Sequence, residues 1–253
     1  MSTAGRDQVP ATPPSDIAAA LAEADFVRLV ARADGDALAA TGLLARALST
    51  RDTPYQASVA QSFEDATRAT DADVIVAVGT TTDAADVTLA ETPLSGTAVE
   101  AVRELGETPD RALALAGTTV ADARDASVGG TLAEEAGFER RPGVAVPVVD
   151  YTDGLAHTTL LHAPFSGETA AVEDALEALD LPTDLDGDAH RRVASLVALT
   201  IAGDETASDR ASDVLERALH PYVGGPFETI GGYGDVLDAL ARERPGVGVA
   251  LAL

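Results

Sequence analysis

Two carboxylates and a guanidinium stand close together in the first polar turn of the sequence. Arg32, Asp34 and Asp36 fall in "ARADGDALAA", between an apolar segment at 25–31 and a leucine-rich segment with helical spacing. Since residues two apart in a strand point to the same side, Arg32 and Asp34 would leave the strand end together. Ligands bind at the carboxyl ends of strands in open α/β sheets, and carboxylates there can hold a metal ion. Asp is also among the best residues for capping a helix, and the spacing alone favours a cap over a metal site.

Further carboxylates follow later strand and helix ends. Asp83 and Asp86 lie in "VGTTTDAAD", directly after the apolar run at 73–78, and Glu91 comes soon afterwards. The threonines and carboxylates of this turn could hold an anion or help to bind a cation, but such a run more often satisfies its own backbone. Asp122 follows the apolar stretch "LALAGTTVA". We interpret it as a capping or solvated residue unless it faces the first turn.

Missing residue types exclude several classes of chemistry. The chain has no Cys, and therefore no disulfide, thiolate metal site or cysteine nucleophile. It has no Lys among its 17 basic residues and no Gly-x-Gly-x-x-Gly after the first strand, which excludes the two common phosphate-binding loops. No Ser/His/Asp site can be proposed. The four histidines are interpreted as ordinary interior or surface residues: His157, His162, His190 and His220.

Strands and helices alternate in the first part of the chain. Apolar runs predict strands at 25–31, 55–60, 73–78 and 86–90. Helical spacing predicts helices at 15–23, 35–48, 63–69 and 97–105, the first of them capped by Ser15. This alternation predicts an α/β fold with a doubly wound, mainly parallel sheet and flanking helices.

From about residue 110 the pattern becomes mainly helical. Helices are predicted at 110–122, 131–136, 168–179, 188–201 and 208–219. A Gly-rich turn, an amphipathic helix and a terminal strand in "GVGVALAL" follow, and predict the start of a second small α/β domain. The predicted organisation is a disordered leader at 1–14, an α/β domain at 15–145, a helical connecting segment at 146–220 and an incomplete domain at 221–253.

The charge of the chain is strongly negative. The formal net charge is -25, the isoelectric point is near 4.2, and every basic residue is Arg. Acidic residues occur in every segment, as expected for a protein hydrated in concentrated salt, and we infer a halophilic source. The charge does not exclude nucleic acid as a partner, since a few Arg residues can contact phosphates. No apolar run is long enough for a membrane span and no targeting segment is present, which predicts a cytoplasmic protein without a membrane partner.

Several motifs, taken in order, resemble a known family. The segment "RADGDALAATGLLARAL" is followed by "VIVAVG", "SGTAVEAVREL", "LALAGTTVADA" and "GGYGDVLDALARERPGVGVALAL". This order resembles the DHH phosphoesterase superfamily, in particular a RecJ-like exonuclease of a haloarchaeal type with degenerate motifs. The resemblance covers roughly residues 24–253, and it implies that 221–253 begins a substrate-binding domain.

The resemblance implies a site for two divalent cations, usually manganese, held by carboxylates and histidines. In the first motif, the family's His falls at Val30 and its first Asp falls at Arg32, whereas Asp34 matches a ligand. Arg32 would place a positive charge where a metal should lie. Paired with Asp34, it would neutralise the pocket by itself.

The later motifs retain one further ligand. The ligand Asp of the third strand falls at about Val78, and the Asp-His-His motif falls at 90–92, where the chain reads Ala-Glu-Thr. Asp122 matches the last ligand position. Two carboxylates are too few to offset the free-energy cost of removing water from two hard cations. The resemblance therefore implies a vestigial site for which no metal cofactor is expected.

Three hypotheses for function follow from the resemblance. The first is a catalytically degenerate RecJ-like protein that acts as a binding or scaffold subunit in DNA replication or repair, as inactive family members do. Its implied partners are replication or repair proteins, GINS-like ones among them, and single-stranded nucleic acid. The second is an active exonuclease or oligonucleotide phosphodiesterase that uses Mn²⁺ or Mg²⁺ on single-stranded DNA, with Asp36, Asp83, Asp86 or Glu91 as substitute ligands. The third is an unrelated α/β binding domain. We adopt the first.

Overall fold

The computed structural model of the chain describes residues 11–60, 71–80, 82, 84–121, 127–203, 215 and 218–253. Within these residues the helices are α1 (Pro14–Glu23), α2 (Gly35–Thr50), α3 (Leu94–Glu104), α4 (Arg111–Val120), α5 (Ser127–Ala136), α6 (Tyr151–His157), α7 (Thr169–Glu177), α8 (Gly187–Ala202), α9 (Ile230–Glu243) and α10 (Pro245–Ala252). The strands are β1 (Val27–Arg32), β2 (Tyr55–Ala60), β3 (Val74–Val78), β4 (Val87–Leu89), β5 (Glu139–Arg140) and β6 (Tyr222–Val223).

The first strand, β1, lies inside a four-stranded parallel sheet. The strand order is β2-β1-β3-β4, and all three pairs are parallel. Ala31 lies opposite Val59 on one side and Val78 on the other, so the three strands end level at their carboxyl edge. Five consecutive residues of β1 are buried, as in a strand covered on both faces. The predicted α/β class with a mainly parallel sheet is confirmed.

The main core is built from small and branched apolar side chains around α2. This helix is buried along most of its length and packs against α3, α4, α9 and α10. Its alanines let neighbouring helices approach closely. At Gly117 of α4, a Cβ would lie only 2.7 Å from the Cβ of Ala39. A chain without Trp and with 4% aromatic residues fills its core through such close contacts.

The helical segment that follows has an apolar cluster of its own. The cluster includes Val144, Val146, Tyr151, Leu155, Phe165, Val172, Val193, Val197 and Ile201. Hydrogen bonds tie this part to α9. The Thr229 hydroxyl donates to the Val146 carbonyl at 2.7 Å, and the Thr159 hydroxyl donates to Asp235 at 2.6 Å.

The predicted terminal strand is wrong, because "GVGVALAL" forms the helix α10. Pro245 begins this helix, where its missing N–H costs nothing. A short segment that is apolar on all sides carries no period that separates strand from helix. The helix packs on α2 and β2, and Arg46 donates to the carbonyl of Ala252 at 2.9 Å. Residues 230–252 therefore contribute side chains to the main apolar core.

Several helix limits also differ from prediction. The first helix begins at Pro14 with Pro13 as its N-cap, so Ser15 is not the cap. The backbone of Thr12 donates to Thr88 at 2.9 Å, which places this end of the predicted leader against β4. The helix predicted at 97–105 begins three residues earlier, at Leu94.

Some predicted segments cannot be compared. Residues 1–10 of the leader, the helix at 63–69 and most of the helix at 208–219 lie outside the described residues. Among the helices that are described, none is long and apolar enough to cross a membrane.

Candidate functional site

Asp34 caps α2 and forms an ion pair with Arg32 at the end of β1. One carboxylate oxygen accepts the backbone N–H of Ala37 at 2.9 Å, and the other accepts the Arg32 guanidinium. Both oxygens are therefore engaged. Asp34 is therefore both the N-cap of α2 and the ion-pair partner of Arg32.

The guanidinium of Arg32 also spans to the neighbouring strand. It donates to the carbonyl of Gly79 at 3.0 Å, directly after β3. Gly79 has φ +68°, a conformation that glycine adopts without strain, and the Arg32 guanidinium carbon lies 3.2 Å from where a Cβ would stand. Arg32 is 51% exposed and Asp34 21%, so solvent screens the pair and its contribution to stability is about 0–1 kcal/mol. Its effect on the site is to neutralise the carboxylate.

Asp36 has a structural role in a different helix. Its carboxylate is buried and accepts the backbone N–H groups of Leu94 and Ser95 at 2.7 and 2.9 Å and the Ser95 hydroxyl at 2.6 Å. It thus caps the N-terminus of α3. Burial raises the pKa of Asp36, while its hydrogen bonds to Ser95 and Leu94 oppose the rise. A carboxylate engaged in this way cannot serve as a substitute metal ligand.

Asp86 does not converge with Asp34. Asp86 accepts the backbone N–H of Ile75 at 2.9 Å, at the amino end of β3, whereas Asp34 lies at the opposite, carboxyl edge of the sheet. Glu91 is exposed. Asp83 and Asp122 lie outside the described residues, so their places in the site stay predictions. A Cβ placed on Gly35 would lie 3.0 Å from a methyl group of Val120, the last residue of α4.

Asp238 is a site residue that the sequence did not reveal. It accepts the backbone N–H of Gly35 at 2.8 Å and pairs with Arg242 one turn later in α9. Burial raises the pKa of Asp238, and the nearby Asp34 carboxylate adds to the rise, while Gly35 and Arg242 oppose it. The only signal in the sequence was a carboxylate on an amphipathic helix, 203 residues from its partner.

At the carboxyl edge of the sheet, the partial positive charge of the α2 N-terminus is therefore already neutralised by protein carboxylates. Two carboxylates, Asp34 and Asp238, occupy the first turn of α2, where a phosphate or another anion would otherwise bind. Each carboxylate has its own arginine. Among the described residues, no group of three or more His, Asp or Glu side chains could hold a metal ion. The described donors thus do not fit a pair of divalent cations.

In the described structure no hydrogen bond or ion pair joins a histidine to Arg32, Asp34 or Asp238. His157 and His162 are exposed, as is His220. The Nδ1 atom of His190 lies 2.8 Å from the Tyr151 hydroxyl, within the helical segment. Interpreting the four as ordinary interior or surface residues missed this Tyr–His contact, which depends on two helices that are 39 residues apart in sequence.

A relative of this chain is found among known proteins. No family model matches the chain. Uncharacterized protein rrnAC1427 of Haloarcula marismortui is 56% identical over 255 residues, which cover 100% of this chain. The chain belongs to the same family. It spans 67% of the length of that family member.

Three solved structures show a more distant likeness. Exonuclease RecJ bound to manganese gives a TM-score of 0.36 at 17% identity, over 96% of this chain and 66% of that chain. RecJ from Thermus thermophilus in complex with Mn²⁺ gives a TM-score of 0.37 at 17% identity, over 96% of this chain and 38% of that chain. The same protein with Mg²⁺ gives 0.34 at 18% identity, over 96% and 35%. At these values the likeness carries no argument about function.

Proposed function

We propose that the chain is a RecJ-like protein of the DHH phosphoesterase superfamily whose metal site is degenerate, and that it acts as a binding or scaffold subunit in DNA replication or repair. The observation that carries the proposal is the ion pair between Arg32 and Asp34 at the carboxyl end of β1. The order of the motifs along residues 24–253 supports the family part of the proposal. Its partners would be GINS-like replication or repair proteins and single-stranded nucleic acid, in the cytoplasm.

The remaining positions of the resemblance support the loss of metal. Val30 and Val78 stand where the family has ligands, and both are fully buried apolar side chains that offer no donor atom. A cation at Asp34 would have to displace the Arg32 guanidinium and would gain one carboxylate in return. A two-metal mechanism needs several oxygen or imidazole ligands. We therefore expect no divalent cofactor, and Mn²⁺ or Mg²⁺ would be required only by an active enzyme.

Calorimetric titration with Mn²⁺ in molar KCl tests this expectation. The wild type should give no saturable heat. Asp110→Ala is a matched control for Asp34→Ala, because Asp110 is also an N-cap and also pairs with an arginine, Arg46. Binding of two ions by the wild type and by Asp110→Ala, but not by Asp34→Ala, would show that the metal site is retained.

A nuclease assay separates the scaffold from the active enzyme. End-labelled single-stranded DNA, incubated with Mn²⁺ in molar KCl, should remain intact. If the wild type degrades the strand and Asp34→Ala does not, while Asp110→Ala does, the chain is an exonuclease and the degenerate site is disproved.

Recovery of partners from cells tests the scaffold role. A tagged chain expressed at its natural level should enrich GINS-like or other replication and repair proteins over a tag-only control, and the enrichment should survive nuclease treatment of the lysate. Enrichment that disappears with the nucleic acid would instead indicate binding to DNA alone. The absence of any replication or repair protein would contradict the scaffold role.

A further inference from the structure

Two adjacent valines stand exposed on the helical segment. Val148 is 41% and Val149 68% exposed, in the loop before α6, and we call the pair the valine ridge. Of the five large apolar side chains found exposed among the described residues, only these two are neighbours in sequence. The backbone beside them is fixed, because Pro147 accepts the N–H of Glu228 at 3.2 Å and Val146 accepts the Thr229 hydroxyl at 2.7 Å. These hydrogen bonds anchor the backbone that leads into the valine ridge.

Each valine borders a cavity. Val149 lines a cavity of about 810 Å³ between α6, α7 and α8. Val148 lines a smaller one of about 310 Å³ between α6 and α9. Leu176, Leu181 and Leu185 line the larger cavity and are partly buried against the apolar cluster, and we call these three side chains its leucine floor. An extended partner could thus cover the ridge while inserting side chains on either side of it.

The larger cavity carries unpaired negative charge. Five of its 14 lining residues are acidic, against 42 of 253 in the whole chain. Asp150 caps its own helix, and Glu228 pairs with Arg141. The other three carboxylates form what we call the acidic rim. Within the described structure the three side chains form no hydrogen bond or ion pair, although Arg192 donates to the backbone carbonyl of Asp180 at 3.3 Å: Glu177, Asp180 and Asp184.

The histidine in this cavity does not offset that charge. The Tyr151 hydroxyl hydrogen-bonds the Nδ1 atom of His190 at 2.8 Å, and the backbone of Val144 hydrogen-bonds the same hydroxyl. Burial, followed by the charge of Arg141, lowers the pKa of His190, which favours the neutral imidazole, while Glu228 and Asp186 oppose this shift. The cavity therefore has a leucine floor, a Tyr–His pair and an excess of carboxylates.

We propose that the valine ridge and the acidic rim form a docking surface for a basic, partly apolar segment of a partner protein, with an Arg or Lys side chain entering the larger cavity. Such a side chain lays an aliphatic stem on the leucine floor while its charged head reaches the carboxylates. Apolar neighbours in the partner cover the ridge. The rim repels phosphates, which disfavours nucleic acid here. The inference rests on the proposed binding role, but its test uses neither metal nor nuclease activity, so the two can fail separately.

The test is fluorescence anisotropy with a labelled peptide of alternating Arg and Leu in molar KCl, where charges further apart than roughly 3 Å are screened. Val149→Ser and the double variant Asp180→Asn/Asp184→Asn should each weaken binding about tenfold. Asp180 has φ 45°, which Asn tolerates, so the backbone is preserved.

Matched controls separate docking from general attraction to an acidic protein. Leu199→Ser removes another apolar side chain, 74% exposed on α8, and should leave binding unchanged. Glu23→Gln/Glu104→Gln makes the same change in net charge on α1 and α3 and should also have no effect. Equal weakening by this second control, equal binding of a Glu-Leu peptide, or no binding at all would overturn the proposal. Binding of oligothymidylate that Val149→Ser abolishes would also overturn it, in favour of nucleic acid.

Discussion

At the scale of single residues, the two aspartates of the Asp-Gly-Asp turn cap two different helices. Asp34 caps the helix that it precedes, and Asp36 caps α3 from 58 residues away. The first interaction is local and partly buried, so it resembles an ordinary N-cap. The second is buried and joins two elements of the core. We therefore expect Asp36, which the sequence suggested only as a substitute metal ligand, to contribute more to stability than Asp34.

Replacing Asp36 should be far more destabilising than replacing Asp34. Asp36→Ala leaves the buried N–H groups of Leu94 and Ser95 without an acceptor, each at a cost of about 1–3 kcal/mol. We expect the free energy of unfolding to fall by about 3 kcal/mol in total. Asp34→Ala removes an N-cap and should cost about 1 kcal/mol. Urea unfolding of both variants in molar KCl measures the difference, and equal losses would contradict the assignment of Asp36 as a buried cap.

Asp36 should also make stability fall as pH rises. Burial raises its pKa above the ordinary value of 3.8. At a pH between 3.8 and the raised pKa, the folded state therefore holds a proton on Asp36 that the unfolded state has released. Over that window the free energy of unfolding decreases as pH increases, because the folded state binds more protons. In Asp36→Asn, the free energy of unfolding should decline less as pH rises, because the contribution of Asp36 is gone. The contribution of Asp238, whose pKa is also raised by burial, should remain. Urea midpoints measured from pH about 4 to about 7 test this, and parallel curves for wild type and variant would contradict it.

At the scale of elements, α10 fits against α2 only because each helix has a glycine where the other approaches. A Cβ at Gly42 would lie 2.7 Å from the carbonyl oxygen of Ala252, and one at Gly248 would lie 2.8 Å from Leu38. The two helices therefore meet through glycine in both directions. A strand at this position would need a partner along its edge, whereas a helix satisfies its backbone internally.

Gly42→Ala should destabilise the protein although alanine favours helices. The added methyl group clashes with the backbone of α10, which costs about 1–3 kcal/mol and outweighs a gain of up to about 1 kcal/mol in helix propensity. Gly130→Ala in α5 is the matched control, because nothing lies within 4 Å of its Cβ position and only the gain should remain. Thermal unfolding measures both. A stabilised Gly42→Ala would show that α10 does not pack on α2 as described.

At the scale of the whole molecule, excess negative charge opposes the compact state. The formal net charge is -25, and the cations that could offset it are all arginines, several of them held in ion pairs such as Arg46–Asp110 and Arg103–Glu135. Like charges across the surface repel one another at low ionic strength. Folding should then depend on the salt around the protein.

Added salt should raise the melting temperature. The screening length falls from about 10 Å at about 0.1 M salt to about 3 Å at about 1 M, so repulsion between surface carboxylates is largely removed over this range. We expect Tm to rise steeply with the concentration of KCl. The same concentration of NaCl should raise Tm equally, because simple screening depends on ionic strength and not on the cation. Circular dichroism at the helical band measures Tm. A Tm that is independent of salt would contradict the halophilic interpretation of the composition.

Local patterns predicted the parallel sheet but not the contacts that join distant segments. Each strand of the sheet is a short apolar run, and its start and end follow from residues within a few positions of it. The capping of α2 by Asp34 was equally local. The roles of Asp36 and Asp238 depend on partners 58 and 203 residues away, which no spacing rule encodes. The same holds for the cavity of the helical segment, where residues from three helices meet only after folding.

The double use of the Asp-Gly-Asp turn affects how such sequences can be sorted by motif. Selection for a folded chain is enough to keep both aspartates, because each one stabilises a helix N-terminus. A search that scores them as ligands would therefore count stability as evidence of catalysis. Under the proposed RecJ-like assignment, the informative positions are those where a ligand would bring no structural benefit, and these are Val30, Arg32 and Val78. Comparing those three positions across relatives would separate chains that can recruit metal from chains that have kept only the turn.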